Sequence, residues 1–214
     1  MTSWSVAHHR VAIAGRVVDG GTSKPVVGAE VTILSGPAEF GKMLKRRAPI
    51  DGATWTKTVE RPDKTRSRID GLFYFVDLPD GKYDVRALLP DCGKRYGEAR
   101  QTATVSLNDT EMSGQKYLKK IWINLVLPPT AVRGKVIDPA QKAGVCMAEV
   151  RVKGSGERAF SDAQGQFRLG PIEPGKRVLQ ASAQGYVAKE KEVLVVVKVG
   201  QQQEAECRLE RRRG

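Results

Sequence analysis

Apolar and polar residues alternate along most of this chain, in short runs. Val11, Ile13 and Val17 fall on one side of an extended segment, and Ala29, Val31 and Ile33 repeat the period of two. So do Phe73 and Phe75; Tyr83, Val85 and Ala87; Ala103, Val105 and Leu107; and Ile121, Ile123, Leu125 and Leu127. Successive side chains of a strand point to opposite faces, so this pattern predicts strands with one face on a core. Turn residues separate the runs: Asp19-Gly20-Gly21, Asp70-Gly71 and Pro79-Asp80-Gly81. Glycine supplies positive φ there, and aspartate bonds its own backbone. Beyond Pro128-Pro129, which favour an extended link, strands are expected over 132–137, 148–152, 166–169, 177–182, 192–199 and 204–209. A helical period is confined to one short stretch, 40–47.

The pattern is written twice. Gly15-Arg16-Val17-Val18-Asp19 through Ala29-Glu30-Val31 recurs as Gly134-Lys135-Val136-Ile137-Asp138 through Ala148-Glu149-Val150, at a constant offset of 119 positions (134 − 15). Asp70-Gly71-Leu72-Phe73 through Ala87 recurs as Gln164-Gly165-Gln166-Phe167 through Ala181, at an offset of 94 (164 − 70). A repeat this long is a duplicated domain, since solenoid units span roughly 20–50 residues. The first copy therefore carries 25 extra residues (119 − 94), expected as an inserted segment at 36–69. The expected division is 1–128 and 129–214. Each half has short strands at turn-punctuated spacing, so the fold class is all-β, two tandem seven-stranded Greek-key β-sandwiches.

The spaced residues Gly15-x-Val17-x-Asp19, Ala29-x-Val31, Asp70-Gly71-x-Phe73 and Leu78-Pro79-x-Gly81-x-Tyr83-x-Val85-x-Ala87 resemble a carboxypeptidase regulatory-like domain. The second half matches through Gly134-x-Val136-x-Asp138, Ala148-x-Val150, Gly165-x-Phe167 and Pro174-Gly175. The resemblance implies a transthyretin-like sandwich used as a rigid accessory domain, spacer or interaction surface. It further implies likeness to appendages of phage-tail-like contractile injection particles. Enzymatic relatives of the fold pair it with a zinc peptidase domain, or use separated histidines and a C-terminal Tyr-Arg-Gly-Ser. Here the histidines are the neighbours His8 and His9, which a strand would point apart, and the chain ends Glu210-Arg211-Arg212-Arg213-Gly214. No enzyme activity, metal or cofactor is expected.

Charge narrows the partner. The formal net charge is +12, and 36–69 holds nine basic and four acidic residues. Lys42, Lys45, Arg46, Arg47 and Trp55 in the insertion, with Arg211, Arg212 and Arg213 in the tail, are the candidate partner-binding residues, since Trp and Arg are enriched at binding hot spots. Trp55 either anchors a partner or packs back on its own sandwich. Other proteins, including subunits of a larger assembly, are the leading partner class. A polyanion such as nucleic acid is the alternative, and carbohydrate stacking on Trp55 and Trp122 is a third. Trp122 alternates with Ile121 and Ile123, so it should face away from the core. Three cysteines, Cys92, Cys146 and Cys207, make an odd count with no paired spacing, which fits a reducing compartment. Cys146 and Cys207 are expected as small core residues. With no secretory signal and no run of 18 apolar residues, a cytoplasmic location without membrane insertion is expected.

Overall fold

The computed structural model describes residues 10–52, 61–106, 110–112, 115–117 and 121–212. They form two compact units. The first runs to Pro90 and resumes over Glu98–Leu127, and the second takes Asp91–Gly97 and Pro128–Gly214.

The first unit contains β1 (Val11–Asp19), β2 (Glu30–Ser35), β3 (Lys64–Arg66), β4 (Leu72–Val76), β5 (Gly81–Leu88), β6 (Ala99–Val105), β7 (Thr110–Met112), β8 (Gln115–Tyr117) and β9 (Ile121–Leu127). One sheet has the order β4-β1-β9 and the other β3-β2-β5-β6, while β7 and β8 form a separate hairpin. The alternation predicted from sequence fills the core. Ile13, Val17, Phe73, Phe75, Leu125 and Leu127 come from one sheet, and Val31, Ile33, Tyr83 and Val85 from the other. Each such side chain contributes roughly 1.5–3 kcal/mol on burial. β1 pairs antiparallel with β4 and parallel with β9, so the first and last strands lie side by side.

The second unit repeats the design with β10 (Ala131–Asp138), β11 (Ala143–Gly144), β12 (Glu149–Val152), β13 (Arg158–Phe160), β14 (Gln166–Leu169), β15 (Gly175–Ser182), β16 (Tyr186–Ala188), β17 (Val193–Val197) and β18 (Gln202–Arg211). β10 again lies between an antiparallel neighbour, β14, and a parallel last strand, β18. The facing sheet has the order β13-β12-β15-β17. Setting aside the additional β7, β8, β11 and β16, each unit is a seven-stranded sandwich of three strands over four.

The duplication extends to individual bonds. The Ala29 N–H donates to the Ser67 hydroxyl oxygen (2.9 Å), and that hydroxyl donates to the Val26 carbonyl (2.7 Å). The Ala148 N–H donates to Ser161 Oγ (2.9 Å), which donates to the Val145 carbonyl (2.6 Å). Both serines are buried. They satisfy backbone groups that a loop beside β2 or β12 would otherwise leave bare inside the sandwich. Gly15 and Gly134 are equivalent too. A Cβ at either would lie 2.1 Å from the Ile123 oxygen or 1.7 Å from the Ala205 oxygen, so only glycine lets the first and last strands approach.

Three expectations change. The segment 36–69 is not all excursion: β3 (Lys64–Arg66) pairs with β2, and Ser67 belongs to the repeated staple. Lys64-Thr65-Arg66 is too polar and short to show a strand period, and its equivalent Arg158–Phe160 is no clearer. Cys146 is exposed rather than in the core, because the buried position of that turn goes to Val145; Cys207 is buried as expected. Finally, the loop after β5 contributes Asp91–Gly97 to the second unit. There the Arg95 guanidinium pairs with Glu157 (2.8 Å) and Glu173 (3.1 Å), and the Thr130 N–H donates to the Arg95 carbonyl (2.8 Å). Hydrogen bonding by Ser155, aided by Arg95, holds the Glu157 carboxyl below the usual carboxylate range.

Candidate interaction site on the inserted helix

The elaboration of the first unit is a helix, α1 (Ala38–Asp51), over and beyond the stretch where sequence predicts one. It starts after Pro37, which sits extended at the N-cap without a side-chain bond, and carries Glu39 in its first turn, where a carboxylate complements the helix dipole. It stops at Gly52, whose N–H bonds the Ala48 carbonyl at φ 52°. Positions 40, 43 and 44 form the stripe facing the sandwich, the i, i+3, i+4 spacing of a helix face. Phe40 is buried, and its ring meets Tyr83 edge-on at 5.4 Å between centroids. The Tyr83 hydroxyl donates to the Pro79 carbonyl (2.6 Å). Burial, with Asp80 adding to it, pushes the Tyr83 phenol up to about 12.

This anchoring decides where the basic residues go. Lys42, Lys45 and Arg46 are exposed and share the i, i+3, i+4 spacing, so they form one outward cationic face. Lys42 pairs with Glu39 at 2.7 Å. That pair, exposed on both sides, adds little stability. Arg47 is exposed as well but sits on another side of the helix. It lines a cleft of about 370 Å³ with Met43, Arg61, Thr65, Tyr74 and Val76, between the helix and β3–β4. Arg61 is held in a fork by Asp63, through Nε–Oδ1 at 2.9 Å and Nη2–Oδ2 at 2.7 Å. The expected anchor Trp55 lies outside the described residues, as does Arg213. Arg211 and Arg212 belong to the second unit, at the end of β18, where Arg211 is opposite Tyr186 and the Arg212 N–H bonds Gly185.

Trp122 is exposed, as its alternation predicts, and its Nε1–H donates to Asn124 Oδ1 (2.9 Å). Tyr74, which the sequence reading did not single out, is exposed on the same sheet. Arg68 donates to its hydroxyl (2.8 Å) and lies 5.1 Å from its ring centroid. The signal was available: Tyr74 alternates with the buried Phe73 and Phe75 and so must point out. Among the described residues, no three His, Cys, Asp or Glu side chains converge as a metal site would need, and no helix is long and apolar enough to cross a membrane.

Comparison with solved structures finds likeness at low identity. The Bacillus anthracis TIE protein is 16% identical, over 93% of this chain and 34% of that one, with a TM-score of 0.37. This chain thus spans about a third of the length of that protein. The shaft pilin SpaA of Lactobacillus rhamnosus GG is 12% identical, over 94% of this chain and 98% of that one, at 0.37. The minor pilin GBS52 of Streptococcus agalactiae is 14% identical, over 97% and 98%, at 0.32. No curated protein matches this chain. The family model described as carboxypeptidase regulatory-like domain matches residues 131–210, in agreement with the resemblance carried by Gly134-x-Val136-x-Asp138 and the residues that follow.

Proposed function

We propose that this chain is a non-enzymatic structural or adaptor protein whose sandwiches hold interaction surfaces for other proteins. The observation that carries this reading is a large elaboration of one copy of a duplicated scaffold. The repeat keeps the strand order, the serine staple and the close-packed glycine, while the first copy adds a helix pinned by Phe40 that presents Lys42, Lys45 and Arg46 outward. A pinned element with a solvated cationic face costs little further ordering when a partner docks. An accessory component of a phage-tail-like contractile injection particle is the finer form of this reading, and it predicts co-sedimentation with such a particle.

A second reading has its own observation. Three cations at i, i+3 and i+4 on one exposed helix face suit a polyanion, whose binding weakens steeply with salt through counterion release. One experiment separates the two. The intact protein and a Lys42→Glu/Lys45→Glu/Arg46→Glu variant are used as baits at low and high salt, and the recovered material is typed as protein or nucleic acid. Deleting 36–69 would serve less well, because it would also remove β3. A defined protein retained at high salt and lost with the variant supports the adaptor. Nucleic acid released by salt supports the polyanion binder, and recovery unchanged by the variant sinks the helix as the site.

A further inference from the structure

The two units differ most informatively on the outer face of the three-stranded sheet. In the first unit Tyr74, Ala14 and Trp122 stand side by side across β4, β1 and β9, the next outward row is Leu72, Arg16 and Asn124, and Val18 lies beside Val126. In the second unit the equivalent rows are Arg168, Arg133 and Glu204, then Gln166, Lys135 and Glu206, with Ile137 beside Arg208. Arg133 and Glu204 form an ion pair at 2.9 Å. The second copy shows that this fold needs no apolar residues in the first two of these rows and can turn the charged pair Arg133 and Glu204 to solvent. In the first copy Trp122 and Tyr74 are instead 51% and 43% exposed.

The aromatic row is also held ready. The Trp122 indole is fixed by its bond to Asn124, and Tyr74 by the Arg68 guanidinium. Strand spacing sets the two rings' backbones about 10 Å apart, with the small Ala14 between them. Exposed apolar patches with Trp, Tyr and Arg are the signature of protein docking surfaces. Beside the row lie Leu72, Arg16 and Asn124, and beyond them Val18 and Val126, so apolar and cationic groups together surround the rings. Arg16 and Arg68 give the face a positive character, and the chain's net charge of +12 opposes stacking against a second copy. We propose that the outer face of β4-β1-β9 docks a partner protein that presents an apolar patch rimmed by Asp and Glu. This rests on the adaptor reading and names a surface distinct from the outward face of α1.

The second unit supplies the test variant. Tyr74→Arg with Trp122→Glu copies residues that the same fold carries at the equivalent places. The photoreactive residue p-benzoylphenylalanine is placed at Val126 or, as the control, at its counterpart Arg208, in the full chain in its native cells. The adduct is identified, and the purified partner is titrated against the intact protein and the variant. The expected result is one acidic protein crosslinked at 126 and not at 208, with affinity falling about 30-fold or more in the variant and also falling with salt. Absence of an adduct at 126, equal labelling at 208, a glycan or nucleic acid in place of protein, or unchanged affinity in the variant overturns the proposal. If the partner is lost only with the Lys42, Lys45 and Arg46 changes, this face is wrong while the adaptor reading stands. If neither surface yields a protein, both fall.

Discussion

Replacing Ser161 with alanine tests whether the serine staple supports the fold. Ser161 is 2% exposed, and its hydroxyl serves two backbone groups, accepting from the Ala148 N–H and donating to the Val145 carbonyl. Its two partners, Val145 and Ala148, are buried, so water cannot readily take its place. Each buried group left unpaired costs about 1–3 kcal/mol. The pair gives an expected loss of about 3 kcal/mol, which lowers the melting temperature of a unit this size by about 12–24 °C. Ser67→Ala should match it in the first unit, because Ser67 makes the equivalent bonds to Ala29 and Val26. The assay is calorimetry and urea unfolding of both single variants and the double variant, with exposed Ser182→Ala as a control expected within about 0.5 kcal/mol of the parent. The staples lie in different units, so their losses should add. A loss below about 1 kcal/mol at either serine, or a loss at only one, would refute the claim that the duplicated bond is structural.

Other consequences are measurable in the same way. Gly134→Ala drives a Cβ to 1.7 Å from the Ala205 oxygen and should cost more than about 4 kcal/mol, whereas Gly28→Ala, at φ 74° with open space, should cost only about 1–2 kcal/mol from backbone strain; urea midpoints check both. Phe40→Ala removes the buried ring that meets Tyr83 and should cost about 3–4 kcal/mol, with amide exchange across α1 rising most. Burial pushes the Cys207 thiol up to about 11, with Glu190 and Glu206 adding to it, so an aromatic disulfide reagent at neutral pH should modify exposed Cys146 in the native protein and Cys207 only after unfolding. Tyr83 has a folded pKa raised from 10.0 to about 12; its contribution is full below about 10 and is lost as pH rises toward 12, so ultraviolet titration should show a late phenolate accompanied by falling stability.

What could be read from the chain follows from what each element asks of its residues. β5 and β9 bury one side each, and their alternating Val, Ile, Leu and Tyr declare them, whereas β1 shows the period through Ile13 and Val17 but also buries the small Ala12 and Ala14. Repetition at offsets of 119 and 94 marked the duplication before any contact was known. β3, β11, β13 and β16 are two or three residues long, too short for a period, and only the ladder with a neighbour defines them. The staple was hidden because a serine in a polar segment looks like any loop serine until its partners Val26 and Ala29 are seen. At the site, exposure of Lys42, Lys45 and Arg46 was legible from charge, whereas the separation of Arg47 into the cleft required knowing that Phe40 sets the helix rotation. Tyr74 became informative only beside its register partners Ala14 and Trp122.

The parallel pairing of first and last strand has a mechanical meaning. Ile13–Asp19 runs beside Ile121–Leu127, and Ala131–Ile137 beside Gln202–Arg208, in each case in the same direction. Tension that enters a unit at its first strand and leaves at its last therefore pulls the two strands along their length in opposite senses. Under that load the ladder bonds bear force together instead of opening one after another from an end, and Gly15 and Gly134 keep the strands close enough for every bond to share it. Under such a load each unit would act as a clasp held in shear.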